Sequence, residues 1–113
     1  MNFYSKDNKT ALEAKGLAQW IAFGPVVFQV ARVLRDSGIL NTLLESRSVG
    51  LTLEEIRDRV KLPHYGVRIL LESGLGIGLV TITDEKYFIS KTGYFICRDP
   101  LTRVNMDFIH DVC

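Results

Sequence analysis

The apolar residues of this chain change their spacing after about residue 74, and that change limits the folds available to it. Up to about residue 74 they recur every three or four positions, which is the period of an amphipathic helix. Residues 79–83 and 87–90 are short β-branched and aromatic runs on either side of a polar turn at 84–86, a pattern that predicts a β-hairpin. Because a two-stranded hairpin is marginally stable alone, it must pack against the helices.

Capping and stop signals divide the helical part into five helices. Thr10 with Glu13, and Thr52 with Glu55, have the spacing of a capping box, and Pro63 can open the last helix. Short helices followed by a hairpin are the winged-helix order, so the predicted fold class is mainly α: a winged-helix-like domain with additional N-terminal helices. The helices are expected at about residues 10–22, 25–36, 39–45, 53–60 and 63–74.

A further helix is predicted at the carboxyl end of the chain. Asp99 can cap it and Pro100 can occupy its first turn. The apolar residues that recur at helical spacing are Leu101, Val104, Phe108 and Val112. No stop signal follows before Cys113, so we expect this chain to be the front part of a longer protein.

Composition excludes several classes of protein. With 47% hydrophobic residues the chain is not disordered, and a net charge of +1 implies no general attraction to nucleic acid or acidic membranes. The apolar segment 17–33 contains Gln, Gly, Pro and Arg, so we expect no membrane span. The polar amino terminus is unlike a signal peptide, and Cys97 and Cys113 are expected to stay free thiols in a reducing compartment. These features predict a cytoplasmic protein.

Gly74, Gly76 and Gly78 are spaced like the glycine-rich loop of a nucleotide or S-adenosylmethionine site. Such a loop follows a strand and precedes a helix. Here the residues before the glycines have helical spacing, and the residues after them are strand-like. We therefore interpret the glycines as the end of a helix and a tight turn into the hairpin, where glycine supplies positive φ.

The other polar clusters do not predict a reactive site. Asp107, His110 and Asp111 fall at helical spacing, but three polar residues on one helix are more often a solvated face than a metal site. Arg98 is a cation that can lower the pKa of the neighbouring Cys97, yet the apolar residues before Cys97 favour a small buried thiol. We assign no catalytic, cofactor-binding or metal-binding residue.

A winged helix can bind DNA, and the helix that begins at Pro63 would then be the recognition helix. Among its outward residues only Arg68 is firmly cationic, and the hairpin turn at 84–86 is net acidic where it would meet phosphate. A DNA reader needs phosphate neutralisation and donors to base edges. These features argue against nucleic-acid binding, and a winged-helix transcription regulator remains the alternative function.

The first two helices carry more large apolar residues than a helix pair needs to cover a small winged helix. Large apolar faces with aromatic residues are typical of homodimer interfaces. The alternative is that these residues form the core of the domain itself. We predict a dimer interface made of Leu17, Trp20, Ile21, Phe23, Val27 and Phe28.

The order of these elements resembles that of a known family. The similarity extends over residues 23–44, 53–60 and 67–79, the Tyr87-Phe88-Ile89 strand and the Ser90-Lys91-Thr92-Gly93 element. Together they are similar to the amino-terminal domain of class I S-adenosylmethionine-dependent methyltransferases of the small-molecule O-methyltransferase type. In that family a dimerising winged-helix domain precedes a Rossmann-like catalytic domain.

The resemblance implies three segments: an N-terminal dimerisation helix at 1–22, a winged-helix-like domain at 23–98, and the start of a connecting helix to a catalytic domain at 99–113. It also implies a homodimer whose full-length form uses S-adenosylmethionine and a small-molecule substrate, with this domain helping to wall the substrate pocket of the complete enzyme. The cofactor loop and catalytic base of that family would lie beyond residue 113. We therefore expect no cofactor in this part of the protein and no activity from it alone.

Overall fold

The computed structural model describes residues 6–112, which contain seven helices and one small sheet. The sheet is a two-stranded antiparallel hairpin that comes after the fifth helix, so the mainly α, winged-helix-like fold class is confirmed. In chain order the elements are α1 (Ala11–Ala22), α2 (Gly24–Asp36), α3 (Ile39–Glu45), α4 (Leu53–Val60), α5 (His64–Gly76), β1 (Val80–Thr83), β2 (Lys86–Ile89), α6 (Lys91–Arg98) and α7 (Pro100–Val112).

Both predicted capping boxes form. The Glu13 amide donates to the Thr10 hydroxyl over 3.1 Å, and the Thr10 amide donates to the Glu13 carboxylate over 3.1 Å. In the second box the Glu55 amide donates to Thr52 over 3.2 Å and the Thr52 amide donates to Glu55 over 2.9 Å. The hydrogen bond from the Thr52 amide, followed by that from its side chain, lowers the pKa of the Glu55 carboxyl. These bonds satisfy helix N–H groups that have no partner within the helix.

The same substitution in the two boxes should have unequal effects on stability. We expect Thr52→Ala to lower the free energy of unfolding by about 1 kcal/mol, because it removes an N-cap from a helix whose Ile56 lies in the core. Thr10→Ala removes an equivalent cap from α1, which has no buried residue, and should change global unfolding much less. Urea denaturation at low protein concentration compares the two variants. Equal losses would show that α1 unfolds together with the core.

The core lies between α2, α3, α4 and α5 and is closed by the hairpin. β1 packs on α5 and β2 packs on α3, and the register pairs Val80 with Ile89 and Ile82 with Tyr87. Leu51 adds one bridge to Tyr87, since their backbone amides and carbonyls bond in both directions at 3.1 and 2.7 Å. The side chains that are fully excluded from solvent are Leu34, Ile39, Leu40, Leu43, Ile56, Val67 and Leu71.

The structure adjusts the predicted hairpin turn. Asp84 and Glu85 form the turn, with φ of 50° and 65°, whereas Lys86 already belongs to β2. The glycine prediction is confirmed: Gly74 and Gly76 lie within α5, and Gly78 has a φ of 83° in the turn that leads to β1. The sequence pattern therefore located the turns correctly and misplaced their edges by one or two residues.

Helix α6 was not predicted. Ser90 caps it, because the Ser90 hydroxyl accepts a hydrogen bond from the Gly93 amide over 3.0 Å and donates one to the Gly78 carbonyl over 2.6 Å. Gly93 and Cys97 are the buried residues of this helix, which packs against α2, α3 and α7. The cap thus connects the end of the hairpin to the helix that follows it.

Candidate functional site

Helix α1 contacts α2, and none of its side chains is buried. Leu17, Trp20 and Ile21 are 44%, 53% and 67% exposed. Thr10 and its capping box fix the start of the helix, and Gly24 and Pro25 begin α2 after a bend of 60°. The sequence thus specifies a well-formed helix whose large apolar residues remain in solvent.

The rest of the predicted interface lies at the start of α2. Phe23 is exposed, whereas Val27 and Phe28 are half-buried, and Phe28 packs in part against the core. Further along α2, Ala31 and Leu34 belong fully to the core. The six predicted interface residues therefore form a surface, here called the α1–α2 surface, that runs from open solvent to the edge of the core.

Helix α7 has an exposed apolar face that was not part of the predicted interface. Met106 is its buried residue, while Ile109 lies beside Phe28 along a groove of about 330 Å³ between α7 and the start of α2. The helical spacing after Pro100 was the signal for this face, although spacing alone does not tell an exposed stripe from a buried one. The exposed apolar residues of α7 are Leu101, Val104, Phe108, Ile109 and Val112.

An ion pair fixes α7 to α2. The Arg35 guanidinium bonds to Asp107 over 3.0 Å and to Asp36 over 2.9 Å. The hydrogen bond to Asp36 raises the pKa of Arg35 despite burial. Burial works to raise the pKa of Asp36, but its hydrogen bonds and ion pairs with Arg35 and Arg32 outweigh that effect and lower it. Arg35 is 15% exposed and Asp107 is 61% exposed, so this pair links α7 to α2 at the surface of the domain.

The remaining candidate residues do not converge on a reactive site. Burial raises the pKa of the Cys97 thiol, and the charges of Arg98, Arg35 and Arg103 oppose that effect, so Cys97 is the small buried thiol that the sequence predicts. Among residues 6–112 no group of three or more His, Cys, Asp or Glu side chains is placed to hold a metal ion. Cys113 lies outside the described residues.

No single helix in the described part of the chain is long and apolar enough to cross a bilayer. Helices α1 and α2 taken together have the length and composition of a broken span, with the 60° bend between them. The core helix of a globular protein meets the same criteria, and Ala31 and Leu34 of α2 are core residues.

Comparison with known proteins identifies the family of the chain. Residues 15–87 match the model of the Dimerisation2-like domain. The chain belongs to the Dimerisation2-like domain family. All six residues of the α1–α2 surface fall within the match, whereas α6 and α7 of this Dimerisation2-like domain lie after it.

A solved structure supports the assignment. The Dimerisation2-like domain is similar to the S-adenosylmethionine-dependent methyltransferase SibL in its apo form, with a TM-score of 0.65 and 30% sequence identity over 80% of this chain. The chain spans 26% of the length of SibL. A search of curated proteins finds no match.

Proposed function

We propose that this chain pairs with a second copy of itself through the α1–α2 surface, as the self-association domain of an S-adenosylmethionine-dependent methyltransferase. The observation that carries the proposal is the state of α1: a capped helix with no buried residue that exposes Leu17, Trp20 and Ile21. The family name supports self-association, and the likeness to SibL supports the kind of enzyme.

The physical reason for pairing is the apolar area that a single copy leaves in water. Burying one large apolar side chain is worth roughly 1.5–3 kcal/mol. Trp20, Ile21 and Phe23 are each more than half exposed, and a twofold interface would bury each of them twice. The groove beside Phe28 and Ile109 extends the same apolar surface onto α7. Such an area can offset the freedom lost on association.

The methyltransferase part of the proposal concerns the full-length protein. There we propose S-adenosylmethionine as cofactor and a small molecule as methyl acceptor, in a catalytic domain that follows this one. The residues described here do not fit the cofactor: Gly74 and Gly76 are helical, so they cannot cradle it as a loop. The chain by itself should therefore transfer no methyl group.

Trp20 provides a direct test of pairing because it is the one tryptophan of the chain. In a single copy Trp20 is 53% exposed, so its fluorescence should be that of a hydrated indole. We expect the emission maximum to move to shorter wavelength as the protein concentration rises, since the partner would exclude water from the ring. An Ile21→Asp variant, which puts a charge beside it on α1, should keep the long-wavelength emission.

Two results would contradict this use of α1. Emission that stays unchanged while the protein associates would mean that copies meet elsewhere. A shift to shorter wavelength at low protein concentration when neutral lipid vesicles are added would assign the α1–α2 surface to a membrane instead.

DNA binding should be weak and insensitive to sequence. The outward face of α5 presents one cation, Arg68, whose guanidinium lies 5.4 Å from the Tyr65 ring centroid, and Asp84 and Glu85 form the hairpin turn. We expect any DNA affinity to fall steeply with salt, because only phosphate contacts would supply it. Electrophoretic mobility shifts with genomic fragments at two salt concentrations measure this. Sequence-selective binding at physiological salt would favour the transcription regulator.

A further inference from the structure

A second concave site lies outside α1, α2 and α7. It is a cavity of about 350 Å³ where the α3–α4 connection, the end of β2 and the start of α6 meet. Its volume is at the lower end of the range for small-molecule sites, about 300–1,000 Å³. The lining residues are Arg47, Ile89, Ser90, Lys91, Tyr94 and Phe95, none of which belongs to the α1–α2 surface.

Two aromatic rings form the apolar part of this cavity. The Tyr94 and Phe95 rings are nearly perpendicular, at 88°, with their centroids 5.7 Å apart. Phe95 is 55% exposed, although it lies on a helix whose Gly93 and Cys97 are buried. An exposed phenyl ring beside Ile89 therefore offers a contact for a flat apolar molecule, and edge-to-face packing of such rings is favourable.

The polar part of the cavity is cationic. The Arg47 guanidinium lies 5.8 Å from the Tyr94 ring centroid, a cation–π contact that positions it over the cavity. Neither Arg47 nor Lys91 takes part in an ion pair within the described residues 6–112. The Ser90 hydroxyl is already engaged with Gly78 and Gly93. The two positive charges are thus the polar groups left to meet a ligand.

We propose that this cavity binds a small aromatic carboxylate. The carboxylate bonds to the planar fork of Arg47 and to the Lys91 ammonium, and the aromatic body contacts Phe95, Tyr94 and Ile89. No acidic residue lines the cavity, so an anion meets no repulsion there, and the apolar walls favour an anion with an apolar body over a fully hydrated one. The proposal requires neither self-association nor a catalytic domain.

Nuclear magnetic resonance titration with 2-naphthoate tests the proposal, with 2-naphthamide and acetate as matched probes. We expect 2-naphthoate to shift the backbone amides of Lys91, Tyr94 and Phe95 saturably. 2-Naphthamide lacks the negative charge and acetate lacks the aromatic rings, so each should bind at least about tenfold more weakly than 2-naphthoate. Binding at a single site with those preferences would show that both the cationic part and the aromatic part of the cavity contact the ligand.

Three variants make the test specific. Arg47 is exposed, so Arg47→Ala should leave the fold intact and weaken 2-naphthoate about tenfold, and Phe95→Ala should weaken both naphthyl probes. Arg59→Ala removes an exposed arginine that does not line the cavity and should change nothing. Equal binding of naphthoate and naphthamide, shifts confined to α1, α2 or α7, or no saturation at about 1 mM probe would each overturn the proposal.

Discussion

Gly93→Ala is expected to lower the free energy of unfolding by about 2–3 kcal/mol, the upper part of the range for overpacking a core. A Cβ atom at position 93 would lie 2.5 Å from the Leu79 carbonyl oxygen and 2.8 Å from the Ile89 side chain. The Leu79 carbonyl cannot give way easily, because it accepts the Ser90 amide over 3.0 Å at the end of the hairpin. The new methyl group must therefore separate α6 from the hairpin. Equilibrium denaturation in urea measures the loss.

Gly66→Ala is the matched control for that prediction. Gly66 lies inside α5, and an added Cβ there meets nothing within 4 Å. The same chemical change should raise the free energy of unfolding by up to about 1 kcal/mol, since alanine is the better helix former. If Gly93→Ala were as well tolerated as Gly66→Ala, the close packing of α6 on the hairpin would be wrong.

Trp20→Ala is expected to weaken self-association by about a hundredfold or more. The indole is the largest side chain of the α1–α2 surface, and buried tryptophans are frequent anchors of interfaces. A twofold interface loses the side chain in both copies, so a cost of roughly 1.5 kcal/mol per copy doubles to about 3 kcal/mol, which is about a hundredfold in the dissociation constant. Light scattering across a dilution series gives the dissociation constant of self-association for the unmodified protein and for the variant.

Tyr65→Ala provides the control for Trp20→Ala. Tyr65 is 67% exposed on α5 and does not belong to the α1–α2 surface, so removing this aromatic ring should leave the dissociation constant unchanged. Circular dichroism should show both variants mainly helical, because neither position belongs to the core. Weakening by both variants to the same degree would indicate nonspecific hydrophobic association.

The elements that the sequence identified are those with local signals. Thr10 and Thr52 each carry the partner residue of a capping box three positions later, and the β-branched runs around Asp84 and Glu85 form the hairpin in its expected place. Helix α6 was missed because its start depends on a contact distant in sequence: Ser90 bonds to the Gly78 carbonyl twelve residues away. Gly93 of α6 is buried against Leu79 and Ile89, and no local sequence pattern encodes that contact.

The candidate sites were also predictable only in part. The surplus of apolar residues in α1 and α2 was visible in the sequence, but the sequence could not tell surface from core. Phe28 packs partly on the core and Trp20 does not, although both are large aromatic residues in the same apolar segment of the sequence. The cavity beside Phe95 could not be predicted, because Arg47 and Lys91 are brought together only by the packing of α6 against α3.

Sedimentation velocity of the unmodified protein over a wide concentration range is the direct test of whether the chain self-associates. We expect one reversible transition from monomer to dimer, with no larger species, because a surface that is closed by a twofold axis cannot add further copies. A protein that sediments as a single copy at every concentration would contradict the account. In that case the exposed side chains of α1 would have to be covered by something other than a second copy of this chain.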